Sequence, residues 1–101
     1  MIKVKIQKEG NIIKKINITG HANYAEYGKD IVCAATSATV LTTLNGIIAL
    51  DNSILEVIQE KDKLIIDIKK EDNTSLILID NMINCLSELA IEYPKNIKIE
   101  I

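Results

Sequence analysis

Ile2, Val4 and Ile6 alternate with Lys3, Lys5 and Gln7, the period-two pattern of a strand with one buried face. Glu9-Gly10-Asn11 is a turn signal, and Ile12–Thr19 resumes as a second strand carried by Ile12, Ile16 and Ile18, so the two form a hairpin. Residues 20 to 29 show no useful periodicity and read as a loop. From Ile31 to Leu50 no residue is charged, and Asp30 in front of this run reads as a helix N-cap. The run predicts a central helix buried on most of its surface, with Ala34, Ala35 and Ala38 permitting close packing. Asp51-Asn52 closes it. Residues 54 to 60 and 64 to 68 predict a second hairpin around Lys61-Asp62-Lys63, followed by a charged loop over 69 to 73. Thr74 or Ser75 caps a second helix that runs to about Glu92 and gathers Leu76, Ile79, Met82, Ile83, Leu86, Leu89 and Ala90 into one stripe. Tyr93-Pro94 ends it, and Ile97, Ile99 and Ile101 alternate as a last strand. The order ββαββαβ describes a single α+β domain with a mixed or antiparallel sheet.

Composition narrows the function. The chain has 101 residues, 48% of them hydrophobic, with no Phe or Trp, so its core is aliphatic and needs neither disulfide nor metal. Net charge is −2 and all 12 basic residues are lysines. Without arginine the chain lacks the bidentate fork that grips phosphate or guanine, and its lysines form no cluster, which argues against a nucleic-acid partner. The uncharged run over 31 to 50 has the length of a membrane span, but its Thr36, Ser37, Thr39, Thr42, Thr43 and Asn45 argue against insertion. The N-terminus alternates charge with apolarity and reads as neither signal nor anchor. Cys33 and Cys85 have no spacing that calls for a disulfide, so a cytoplasmic protein with two reduced thiols is expected. One His and two scattered Cys do not make a zinc site, no glycine-rich phosphate loop follows a strand, and no cofactor is expected.

The stretch with chemistry in it is TGHANYAEYGKDIVCAATSATV, residues 19 to 40. It holds the only histidine, His21, at a strand end, and Cys33 in the first turn of the helix that Asp30 opens. Unpaired backbone N–H groups and the helix dipole there favour a thiolate and offer donors to an oxyanion. Taken singly, Cys33 reads first as a small buried hydrophobe, and His21 as a solvated loop residue. The pair is more informative, because the short loop between them can fold back, and imidazole is the side chain suited to proton transfer near neutral pH. Asp30 has two compatible roles, helix cap and orienter of the imidazole. Ser37 lies one turn after Cys33 on the same face. Gly20 and Gly28 bound the loop as hinges, and Tyr24 and Tyr27 offer amphipathic rings to a substrate. Cys85 reads as inert core of the second helix.

Gly20-His21-Ala22, Gly28, Asp30-Ile31-Val32-Cys33-Ala34-Ala35 and Ser37-Ala38 resemble the signature of the ribosomal-processing cysteine proteases of the Prp family. The resemblance implies an endopeptidase that removes a short N-terminal extension from a bacterial large-subunit ribosomal protein precursor. It implies Cys33 as nucleophile and His21 as its proton partner, with Gly20, Asp30 and Ser37 in support. It further implies an apolar, aromatic-rich cleavage segment, a mobile loop between His21 and Cys33, and a homodimer. Thr36 stands where the family more usually carries an aliphatic residue, and residues 23 to 27 match no family pattern. The alternative from another class is a non-catalytic ribosome-associated binding module in which Cys33 and His21 are structural.

Overall fold

The computed structural model describes residues 1–101 and orders its elements as expected: β1 (Ile2–Glu9), β2 (Ile12–Thr19), α1 (Ile31–Leu50), β3 (Leu55–Glu60), β4 (Lys63–Ile68), α2 (Asn73–Glu92) and β5 (Ile97–Glu100). The five strands make one mixed sheet in the order β3-β4-β2-β1-β5, antiparallel except for the β1–β5 pair. Cross-strand register puts Val4 opposite Ile18 and Ile99, and Ile16 opposite Ile6 and Ile66. All of these share one face, which packs with Val32, Leu44 and Ile47 of α1 and Ile79, Met82 and Leu86 of α2 into a single aliphatic core. The fold is therefore two layers, helices on one face of the sheet and the other face turned to solvent.

Alternation in β2 breaks once. Gln7 pairs with Lys15 but Lys8 pairs with Ile13, so Lys14 is the extra residue of a β-bulge. Ile13 thereby enters the core in the place that strict alternation from Ile16 would give to Lys14. Both hairpin connections have two residues, Gly10-Asn11 and Lys61-Asp62. In each one residue takes a left-handed backbone, Gly10 at φ +64° and Asp62 at φ +59°.

Four expectations need correction. The central helix is not buried on most of its surface: α1 buries only the stripe Val32, Thr36, Val40, Leu44 and Ile47. Lack of charge reflects its Ala, Thr, Ser and Asn content, and Thr39 and Thr43 satisfy their hydroxyls on the helix's own carbonyls. Both helices are long and apolar enough to cross a membrane, but α1 lays its buried stripe against the sheet. The second helix starts at Asn73 and is capped by Asp72, whose carboxylate accepts from the Ser75 N–H and hydroxyl at 2.9 and 2.7 Å. Cys85 is exposed, because it sits roughly 100° of helix rotation off the stripe that holds Leu86. Ile101 lies beyond β5 and is exposed.

The end of β2 is fixed by Gly20. Its φ is +86°, and a Cβ there would collide with the backbone oxygen of Met1. Gly28 has φ +87° but open space around it. In urea denaturation, Gly28→Ala should cost about 1 kcal/mol, the left-handed penalty alone. Gly20→Ala should cost more than about 2 kcal/mol, because displacement of the β1 start adds to that penalty. Equal losses would show that the contact with Met1 does not constrain the strand end.

Candidate active site

Asp30 assembles the site. One carboxylate oxygen accepts from the N–H groups of Val32 and Cys33, both at 3.0 Å, and so caps α1. The other accepts from the N–H groups of Tyr24 and Ala25 at 3.0 and 3.4 Å, and so holds the loop against the helix start. These donors, that of Cys33 foremost, keep the Asp30 carboxyl below its ordinary range despite some opposing desolvation. Of its two expected roles the structure provides the cap. The imidazole has another partner.

That partner is Asp62. His21 Nε2 lies 2.7 Å from Asp62 Oδ1, across 41 residues of sequence. The contact follows from strand pairing: β4 lies beside β2 with Thr19 opposite Lys63, so the tight β3–β4 turn falls next to the residues that follow Thr19. The Gly20 N–H donates to the Asp62 carbonyl at 3.1 Å and locks the two segments together. Both side chains are more than half exposed or near it, at 64% and 50%, so the pair is open to solvent and to substrate. Nothing local in the sequence marks Asp62; only the β2–β4 register brings it to the site.

Cys33 is half-buried and its sulfur receives the Ala22 N–H at 3.4 Å. Ala22 is fully buried, and its carbonyl accepts from Asn96 Nδ2 at 2.9 Å. The Asn96 carbonyl in turn accepts from the Ile2 N–H at 2.9 Å, so the segment after His21 is pinned to both β1 and the α2–β5 connection. The sulfur thus lies at the start of a capped helix with one backbone donor directed at it. The N–H groups of Val32 and Cys33, expected as oxyanion donors, are already engaged by Asp30. Ala22 N–H is the donor the fold places beside the sulfur instead.

His21, Cys33, Asp30, Ser37, Gly20 and Asp62 line one cleft of about 840 Å³ between α1 and the β3–β4 hairpin. Gly28 and the fully exposed Tyr27 stand at its mouth. Tyr24 does not line the cleft; its ring packs edge-on against Tyr93 with centroids 5.4 Å apart. Ile18, Val40, Leu41 and Leu64 make an apolar wall. No group of side chains has the composition of a metal site.

Comparison with known proteins bears on this geometry. The family model for cysteine protease Prp matches residues 1–98. The chain is similar to the ribosomal processing cysteine protease Prp of Staphylococcus aureus (strain Mu50), at 28% identity covering 97% of this chain and 94% of that one. It is also similar to the Prp of Bacillus subtilis (strain 168), at 28% identity over 86% and 84% of the two chains. Among solved structures it superimposes on the S. aureus protease carrying a covalently linked product peptide, with a TM-score of 0.92 and 27% identity over 99% and 98% of the chains. The same protease with a substrate peptide gives a TM-score of 0.85 at 26% identity over the same shares.

The Asp30 cap has a signed pH dependence. A carboxyl held low in the folded state stabilises it fully above the unfolded value near 3.9, and the benefit is lost as pH falls through the lower folded value. Asp30→Ala should therefore melt below the wild type at neutral pH, with the gap closing as both are acidified below that range. A gap that persists at the acid end would assign the loss to packing and not to the ionised cap.

Proposed function

The chain belongs to the Prp family of cysteine proteases, a family of ribosomal processing enzymes, and from that premise we propose that it removes the N-terminal extension of a large-subunit ribosomal protein precursor with a Cys33–His21 dyad. The observation that carries this reading is the Cys33 sulfur at the capped start of α1, receiving the Ala22 N–H in the cleft that His21 also lines. The Cys33 sulfur attacks the scissile carbonyl carbon as its proton passes to His21. The carbonyl oxygen becomes an oxyanion beside the Ala22 N–H. Collapse breaks the peptide C–N bond, the imidazolium gives its proton to the leaving amine, and a thioester remains on Cys33. Water then adds to the thioester carbon, giving its proton to His21, which returns it to the departing thiolate.

Asp62 holds the imidazole through Nε2, which leaves Nδ1 for the thiol side, so the working group is a Cys33–His21–Asp62 set. Asp30, Gly20 and Ser37 support it as cap, strand end and cleft wall. The apolar wall suits an extended apolar segment of substrate, with Gly28 and Tyr27 at the mouth free to close on it. The protein works in the cytoplasm, where both thiols stay reduced, and it works as a homodimer. The uncharged exposed surface of α1 outside the cleft, with Ile31 and Ile48 exposed, supports a second copy of the chain there. Nothing favours the non-catalytic alternative.

Incubation with a ribosomal protein precursor, with the new N-terminus read by mass spectrometry, tests the activity. Cys33→Ala should cut nothing and Cys85→Ala should cut normally; cleavage by the Cys33→Ala variant ends the dyad reading. Alkylation gives an independent check, because accessibility and activation point in opposite directions. Cys85 is exposed and Cys33 half-buried, so access alone would label Cys85 first. An activated Cys33 should react faster in spite of its burial. Asp62→Asn should lower kcat by about tenfold or more with little change in KM, since it loosens the imidazole and not the substrate. For the assembly, Ile48→Lys should convert the dimer to monomer in analytical ultracentrifugation; an unchanged mass would move the interface elsewhere.

A further inference from the structure

Thr36 is the one buried side chain whose oxygen has no hydrogen-bond partner in the fold. It lies in α1 just after the Cys33 turn, is 5% exposed, and belongs to the lining of the cleft. A threonine hydroxyl inside a helix commonly bonds back to the carbonyl one turn earlier. Thr39 does so to the Ala35 carbonyl at 2.8 Å, and Thr43 to the Thr39 carbonyl at 3.0 Å. Thr36 makes no such bond. A buried unpaired hydroxyl is unfavourable, and valine would fill the same space without it. No group of this chain serves as its partner, and the cleft that Thr36 helps to line has Ile18, Val40 and Leu64 among its apolar residues. The approach open to a partner is through the cleft.

We propose that Thr36 is a specificity-determining residue, pairing with the polar tip of a substrate side chain whose apolar body packs against Ile18, Val40 and Leu64. A hydroxyl both donates and accepts, so a phenol or a carboxamide fits it, and the chain selects Tyr or Gln over Phe or Leu at that one position. The oxygen is buried while Thr36 itself belongs to the cleft lining, so a substrate side chain must press into the wall to reach it. This inference rests on the cleft being the peptide-binding site of the protease.

The test is binding, separated from cleavage. A positional-scanning set of short apolar peptides, carrying Tyr, Phe, Gln or Leu at each position in turn, is titrated by fluorescence anisotropy into the Cys33→Ala chain. At one position the Tyr or Gln peptide should bind about five- to tenfold tighter than its Phe or Leu counterpart, the worth of one neutral hydrogen bond. Thr36→Val on the same background should erase that preference, and Thr36→Ser should keep it. The melting temperature of Thr36→Val should equal or exceed that of the parent, because it removes an unpaired hydroxyl. A preference that survives Thr36→Val, no preference at any position, absence of binding, or a lower melting temperature in Thr36→Val each overturns the proposal. Peptides bound with the expected preference but left uncut by the Cys33 chain would instead overturn the protease reading and leave Thr36 in its role.

Discussion

A single carboxylate holds the working end of this molecule together. Asp30 has two oxygens and uses both, one on the helix that presents Cys33 and one on the loop that follows His21. The first turn of any helix has N–H groups with no partner inside the helix. Here they are satisfied from a residue that also holds Tyr24 and Ala25 of the loop, so the helix start that carries the sulfur and that part of the loop share one anchor. The arrangement has a consequence for the chemistry. Donors spent on the cap are not free for an oxyanion, and the backbone donor left beside the sulfur comes from Ala22, on the other side of the loop. The helix holds the nucleophile in place, and the strand end supplies the hydrogen bond to it.

The second constraint is strand order. β2 lies between β1 and β4, and every segment that meets its end contributes to the site. Met1 crowds Gly20 from one side, the β3–β4 turn brings Asp62 to His21 from the other, and Asn96 reaches Ala22 from the α2–β5 connection. A left-handed backbone at both Gly20 and Asp62 is what lets these chains approach so closely. The core beneath is almost wholly aliphatic and seals one face of the sheet, which gives the site a rigid floor while Gly28 and Tyr27 remain at the open rim.

Much of this was legible in the residues alone. Alternation of isoleucines names the strands, Glu9-Gly10-Asn11 and Lys61-Asp62-Lys63 name the turns, and Asp30 names the start of the helix that carries Cys33, because each of these is a local preference of backbone and side chain. The dyad candidates His21 and Cys33 were visible as the chain's only imidazole and its one thiol at a helix start. What local pattern misjudged is instructive. Absence of charge in α1 suggests burial, yet uncharged polar residues can satisfy themselves on their own helix and stay at the surface. Cys85 reads as part of the apolar face of the second helix, yet burial follows the angle around a helix, and it falls beside the stripe.

Tertiary structure decided the partners. Asp62 is 41 residues from His21, and Asn96 is 74 residues from Ala22, separations at which no periodicity or capping rule operates. Their contacts exist because β4 pairs with β2 in one register and β5 closes against β1, choices set by burial of one shared sheet face. The unpaired hydroxyl of Thr36 belongs to the same category. Sequence places a threonine one helical turn past Cys33, but only the packed cleft removes every partner from it. Local physics thus wrote the elements and the two reactive side chains into the sequence; the geometry that makes them a site comes from the way a one-faced sheet must stack its strands.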